Sequence, residues 1–370
     1  MMKVQAAVLR AHGQPLAIEE LELAAPRDDE VVVRLAASGV CHTDLSVVQG
    51  HLPLPPPAVL GHEGAGVVEA VGRGVTDLRP GDHVVLAWVR NCGRCAHCSA
   101  GRAHLCEGAI VDALTGADDV FRKNGEPVGR LAGVGSFAER TVVKATAAIR
   151  IDPEIPLDRA CLVGCSVMTG VGAAINTVDI EPGASVVVFG CGGVGLNVIQ
   201  GAALRAPARL IAVDVAPYKL ELARAFGATD VVDASATPDV VSAVKDLSGG
   251  GVDFAFEAAG VASLIRDAFL STRRGGIAVV VGVASLAAEV ELPAALFALE
   301  ERSLVGSLYG SANLRRDMPR LLDLYLRSKL KIDELISRRI RLEDINEVRA
   351  AMTSGEVARS VIVYGGGDTP

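Results

Sequence analysis

Four cysteines, Cys92, Cys95, Cys98 and Cys106, stand in the stretch Cys-Gly-Arg-Cys-Ala-His-Cys-Ser-Ala-Gly-Arg-Ala-His-Leu-Cys with the spacing C-x2-C-x2-C-x7-C. Four thiolates complete a tetrahedral shell around Zn2+ and leave no open position, which marks a structural site. An iron–sulfur cluster wants the same ligands, and the spacing does not decide between metals. In a chain expected in the cytoplasm, this density favours metal over disulfides. His97 and His104 fall inside the run and are read as solvated loop residues, because the sulfurs already suffice. A second group is dispersed over Cys41-His42-Thr43-Asp44, Gly61-His62-Glu63 and Cys165. Two thiolates and an imidazole leave zinc one open position for Lewis-acid chemistry on a substrate oxygen. Spacing alone does not join ligands so far apart. Each of them, taken singly, reads as a buried cysteine or a core histidine.

The third pattern is a glycine loop. Ser185-Val-Val-Val-Phe189 enters Gly190-Cys191-Gly192-Gly193-Val194-Gly195, apolar residues then recur at helical spacing to Leu204, and the next strand, Arg209 to Val213, ends in Asp214. Strand, GxGxxG, helix and a following acid together form a dinucleotide fingerprint. The glycines let a pyrophosphate approach the backbone, and the helix N-terminus supplies amides and a positive dipole end. Asp214 would accept hydrogen bonds from the adenosine ribose hydroxyls and repel an extra phosphate, which favours NAD over NADP.

These groups need elements to carry them. The chain has 370 residues, 50% hydrophobic and 22% charged, so two domains with sizeable cores are expected and disorder is excluded. A net charge of −8 argues against nucleic-acid binding, which needs a basic stripe. The mean hydropathy of +0.37 raises the question of a membrane span. The uncharged run from Pro182 to Leu204 is read instead as strand, turn and helix, because glycines and polar residues interrupt it. The N-terminal stretch is too short in apolar residues for a signal peptide, so a cytoplasmic protein away from membranes is expected. From about 167 to 308, strands and helices alternate, which predicts a parallel, doubly wound sheet. The first 160 residues read as short β-rich pieces, and 309–370 as helices plus a final strand. The fold class is therefore α/β, with the coenzyme domain (167–308) inserted into a β-rich domain (1–166 and 309–370).

Taken in order, the pieces resemble the zinc-dependent medium-chain alcohol dehydrogenases over essentially the whole chain. Gly61-His62-Glu63-Gly64-Ala65-Gly66-x5-Gly72-x2-Val75 matches that family's zinc signature, and Gly39 to Asp44, the four-cysteine loop and Gly164-Cys165 match in position. The resemblance implies a GroES-like catalytic domain, a Rossmann coenzyme domain and two zinc ions per chain. Cys41, His62 and Cys165 would ligate the catalytic ion, Asp44 would hold the imidazole, and Glu63 would lie beside the metal. It also implies reversible oxidation of a primary alcohol by hydride transfer to NAD, with Thr43 accepting the alcohol proton. Thr169 would touch the nicotinamide, His42 and Arg359 the pyrophosphate, and Lys219 the ribose side.

Departures from the pattern narrow the substrate. Ser46 stands where many relatives end the proton relay with a histidine, and His51 is a possible substitute. Relatives that oxidise the glutathione adduct of formaldehyde use an acid and an arginine where this chain has Leu52 and Ile110. Leu52, Trp88, Val283 and Leu308 would give an apolar pocket suited to aromatic or longer alcohols, and thiol-dependent formaldehyde oxidation is the alternative. A non-catalytic zinc-binding structural or interaction protein is the remote one. The stretch between Glu107 and Phe137 reads as a long polar loop, a feature that leans toward a homodimer over a homotetramer.

Overall fold

The computed structural model describes residues 2–109, 116, 119–348 and 359–365; Ile110 lies outside them. The chain forms two compact units, Met1–Cys165 with Asn313–Pro370, and Ser166–Ala312.

The first unit opens with ten strands: β1 (Met2–Leu9), β2 (Ala17–Leu23), β3 (Glu30–Val40), β4 (Ala58–Val59), β5 (Glu63–Val71), β6 (His83–Leu86), β7 (Phe121–Lys123), β8 (Glu126–Arg130), β9 (Arg140–Lys144) and β10 (Ala148–Arg150). A closed barrel runs β1-β2-β7-β8-β4. Strands β7 and β8 fall within the supposed loop 107–137, which is therefore partly a hairpin. Asn124 and Gly125 take φ of 53° and 82° at its turn, and Phe121 and Val128 are buried in the barrel. Asn-Gly between short apolar pieces is a hairpin signal that the polar composition masked.

The second unit contributes β11 (Ser185–Phe189), β12 (Arg209–Asp214), β13 (Asp230–Asp233), β14 (Val252–Glu257), β15 (Thr272–Val280) and β16 (Ser303–Gly306). They pair in parallel in the order β13-β12-β11-β14-β15-β16. Val186 to Phe189 are all fully buried, as a parallel strand covered on both faces requires. The uncharged run splits into β11, the glycine turn and the helix Gly193–Ala203.

Back in the first unit, β17 (Ile336–Ile340) and β18 (Arg359–Val363) complete a sheet in the order β10-β6-β5-β3-β18-β17, with β9 also on β3. This places β18 antiparallel to β3, Ser360 opposite Val40. Sequence periodicity missed the helical stretch Leu157–Thr177. Among the described residues it is the one helix long and apolar enough to cross a membrane, and 78% of it is buried. Burial explains its composition.

Candidate functional site

The dispersed ligands converge within the first unit. One ligand atom each from Cys41, His62, Glu63 and Cys165 lies within 4.8 Å of all the others, and all four residues are buried. Cys41 follows β3 directly and caps the helix His42–Val48 in extended backbone conformation. Asp44, in the first turn of that helix, accepts from Cys41 N at 2.9 Å and from Gly61 N at 3.0 Å. Its Oδ1 also lies 3.4 Å from His62 Nδ1, so Nε2 is the nitrogen left for a metal. One carboxylate thus ties together two ligand-bearing segments. Gly61 has φ +86°, and a Cβ there would stand 2.4 Å from the Phe137 ring. Cys165 sits in a π-helical turn, Val163–Val167, inside the long helix. Such a turn shifts the helical register locally and recurs at functional sites. Beside it, a Cβ on Gly164 would meet the Leu86 carbonyl at 2.7 Å, so only glycine lets the helix lie on β6.

Glu63 begins β5, fully buried. Its Oε1 accepts from Arg359 Nη2 at 3.0 Å, and Arg359 Nη1 donates to the Val40 carbonyl at 3.1 Å. Its Oε2 has no hydrogen-bond partner among the described residues and lies 2.0 Å from where a Cβ of Gly39 would be. The expectation that Arg359 would reach a pyrophosphate meets a different arrangement. The guanidinium is buried at 4% exposure and turned to Glu63 and Val40, because β18 lies against β3.

Each of these groups is shifted by its neighbours. The Cys165 thiol, hydrogen-bonded to Cys41, holds the Cys41 thiol well below its usual range, with Arg359 and His62 assisting against burial. The same contact and burial push Cys165 well above it. Burial opposes a charge on His62, but Asp44 and Cys41 outweigh it and raise the imidazole. Two thiols, an imidazole and a carboxylate with one orphaned oxygen, crowded in a dry space, are a donor set that fits zinc.

Thr43 is half-buried, its hydroxyl 3.7 Å from Cys41 Sγ, while His42 and His51 are exposed. Trp88 is half-buried against the core around Val33 and Leu35, and Leu52 is half-buried against that around Leu54 and Phe137.

The four loop cysteines also converge, with sulfurs within 4.8 Å of one another and none in a disulfide. Amides aim at them: Cys92 N at Cys106 Sγ (3.4 Å), Cys95 N at Cys92 Sγ (3.3 Å) and Cys98 N at Cys95 Sγ (3.5 Å). Amides of Arg94 and Cys95 bring the Cys92 thiol down to about 6, whereas burial and Cys95 push Cys98 up to about 12. Four sulfurs brought together and approached by backbone amides are a donor set suited to a divalent ion. His104, expected in solvent, is buried in the short helical turn Ala103–Leu105, and His97 is half-buried.

In the second unit, Gly190 takes φ +90° and donates to the Val213 carbonyl at 2.8 Å. A Cβ on Gly195 would lie 1.7 Å from the Gly190 carbonyl, and nothing lies within 4 Å of one on Gly192, which caps the helix Gly193–Ala203. Tight closure at Gly195 and open space at Gly192 leave the loop amides and the helix N-terminus accessible to a phosphate. Asp214 takes Cys191 N at 2.8 Å on one oxygen and Ala216 N at 3.0 Å on the other. Lys219 is half-buried, its Nζ 6.0 Å from the Tyr218 ring centre. Thr169 and Leu308 are half-buried, and Val283 is 72% exposed. Sequence reasoning passed over Glu257, which ends β14 fully buried, although a lone acid closing the run Val-Asp-Phe-Ala-Phe was visible.

The family profile described as alcohol dehydrogenase GroES-like domain matches residues 27–153, and that described as zinc-binding dehydrogenase matches 193–327. The chain is 40% identical over 370 residues to an NDMA-dependent alcohol dehydrogenase of Amycolatopsis methanolica, covering 98% of this chain and 99% of that one. It is 38% identical over 375 residues to an S-(hydroxymethyl)glutathione dehydrogenase of Escherichia coli, covering 98% of this chain and all of the other (100%). A solved benzyl alcohol dehydrogenase from Acinetobacter calcoaceticus superposes with a TM-score of 0.94 at 31% identity, covering 99% and 100% of the two chains.

Proposed function

The chain belongs to the zinc-dependent medium-chain alcohol dehydrogenases, and from that premise we propose that it oxidises primary alcohols, aromatic or longer-chain, reversibly to aldehydes with NAD. The observation that carries this reading is the buried set of two cysteines and one histidine, its imidazole tethered by Asp44. We assign the catalytic zinc to Cys41, His62 and Cys165, with Glu63 beside it, and the structural zinc to Cys92, Cys95, Cys98 and Cys106. When bound, the catalytic ion supplies Lewis acidity toward the alcohol oxygen, and the nicotinamide accepts the hydride.

The residues then divide the work. Asp44 fixes the imidazole orientation and the Cys41 and Gly61 backbones at once. Thr43, beside Cys41, accepts a hydrogen bond from the substrate hydroxyl and relays its proton toward the coenzyme ribose. The loop Gly190–Gly195, with Gly192, Gly193 and Val194, receives the pyrophosphate on its amides. Asp214, held by two of its neighbours' amides, presents its carboxylate to the ribose and disfavours a phosphate there. His42, Lys219 and Thr169 are assigned coenzyme contacts, and Arg359 the positioning of Glu63. The substrate reading rests on Leu52 and Trp88, which are apolar and half-buried.

A second reading, oxidation of a glutathione–formaldehyde adduct, is supported by the 38% identical E. coli relative. Leu52 weighs against it, since a charged partner for the thiol substrate is missing there. NADH formation with ethanol, a long aliphatic alcohol, benzyl alcohol, and formaldehyde with and without glutathione separates the two. Preference for benzyl or long-chain alcohol, indifferent to glutathione, supports the first. Activity only with the adduct replaces it by the second.

We also assign a homodimer. Strand β16 is the edge of its sheet, and Leu286, Phe297 and Leu299, in the segment of chain that leads into it, are 75%, 41% and 80% exposed, apolar side chains that a second copy would cover. Sedimentation at micromolar concentration tests it, and a monomer would refute it.

A further inference from the structure

We propose that Glu257 is a positioning residue for the dinucleotide, its carboxylate holding the loop Ala258–Val261, and through it the glycine loop, in the shape that receives the coenzyme. This inference rests on the NAD reading and goes beyond it.

Glu257 is fully buried with no ion pair among the described residues. A buried carboxyl without a cation is costly unless hydrogen bonds take its place. Here Oε1 accepts three successive amides, Ala259 at 2.8 Å, Gly260 at 2.7 Å and Val261 at 3.2 Å. The same residue's carbonyl accepts from Val281 N at 2.8 Å and Gly282 N at 3.0 Å, and Ala258 N donates to the Phe189 carbonyl at 2.9 Å. Glu257 and Ala258 together therefore stitch the carboxyl ends of β11, β14 and β15.

Those ends are where a ligand belongs. In the order β13-β12-β11-β14-β15-β16 the chain turns outward in opposite directions from β11 and β14, and open α/β sheets bind ligands at that crevice. The loop that Glu257 holds abuts the phosphate loop directly: a Cβ on Gly190 would stand 3.0 Å from Ala259. It also interlocks with the segment after β15. A Cβ on Gly282 would lie 2.2 Å from Gly260 N and 2.8 Å from Glu257 Oε2, and one on Gly260, at φ +75°, would lie 2.6 Å from the Val283 carbonyl. Such close approach leaves no slack, so a shift of the carboxyl group moves Ala259 against Gly190.

Burial raises the acid against the pull of the three amides, and Oε2 has no hydrogen-bond partner among the described residues. Glutamine, whose amide oxygen can accept the same bonds, is accordingly the close replica. Aspartate keeps the charge but withdraws it by one methylene from the amides.

The test measures NADH affinity by fluorescence titration, together with KM for NAD, kcat and thermal melting, for Glu257→Gln and Glu257→Asp. Glu257→Gln is expected to bind NADH within about threefold of the parent. Glu257→Asp is expected to bind about tenfold more weakly, with KM for NAD raised and kcat changed less than KM. Equal affinity in parent and Glu257→Asp overturns the proposal. So does a loss confined to Glu257→Gln, which would make charge rather than reach the operative property. Lowered melting of Glu257→Asp with unchanged NADH affinity overturns it as well, leaving only a structural cap. A parent chain that binds no NADH overturns the NAD reading itself, and this inference with it.

Discussion

Arg359 Nη2 stands 3.0 Å from Glu63 Oε1, with side chains 4% and 0% exposed. The pair joins β18 to the strand that follows His62, and so fixes one wall of the cluster of Cys41, His62 and Cys165 from the far end of the sequence.

Removing one partner leaves the other charge buried. Arg359→Leu is expected to cost about 3–5 kcal/mol in denaturant unfolding, and Arg359→Leu combined with Glu63→Gln to recover much of it. A single-variant loss under about 1 kcal/mol would show that the pair is solvated in solution.

Cys41→Ser or His62→Ala should abolish alcohol oxidation and lower the zinc content by one ion per chain, while NADH still binds. The glycine loop lies in the other unit, Ser166–Ala312, and among the described residues none of its hydrogen bonds involves these ligands. Turnover retained at the parent's rate would defeat the ligand assignment.

Asp214→Gly should reduce the ratio of kcat/KM for NAD to that for NADP by about tenfold, the worth of one charged hydrogen bond. The ratio is the proper readout, because Asp214 also holds Cys191 N and Ala216 N and its loss loosens both turns. An unchanged ratio would mean that the acid does not read the ribose.

Acid should weaken one identifiable surface network. Burial works to raise the Asp333 carboxyl, but Arg159 and the Tyr325 hydroxyl outweigh it and hold the group below its ordinary 3.8. A depressed acid stabilises the fold above that value, and the contribution disappears as pH falls through the folded-state value. Half-exposed as it is, Asp333 is worth under about 1 kcal/mol. Melting curves should show Asp333→Asn less stable than the parent at pH 7, with the gap shrinking as pH falls below 3.8. A gap that persists at low pH would remove ionisation from the explanation.

What was legible in the sequence was local. The four-cysteine spacing and the strand–glycine–helix run are each complete within a short window, so residue types and intervals sufficed. Cys41, His62 and Cys165 were legible only jointly, through their order along the chain beside the zinc signature. The Glu63–Arg359 pair, 296 residues apart, leaves no trace in any window, because pairing across sheet strands is decided by topology. Arg359 accordingly read as a coenzyme contact. The hairpin at Asn124-Gly125 was readable but hidden by its polar neighbours, and the π-helical turn at Cys165 breaks the periodicity by which helices are recognised.

The discontinuity of the first unit sets an order of assembly during synthesis. The unit Ser166–Ala312 is contiguous and its sheet pairs strands in parallel with short crossovers, so it has all its partners as soon as it leaves the ribosome. The first unit does not. Strand β3 waits for β18, and the Val40 carbonyl waits for a guanidinium 319 residues downstream. Until β18 emerges, Glu63 lacks the Arg359 counter-ion and β3 is open along Ala37–Val40, which makes the nascent first unit the part of the chain most in need of chaperone protection.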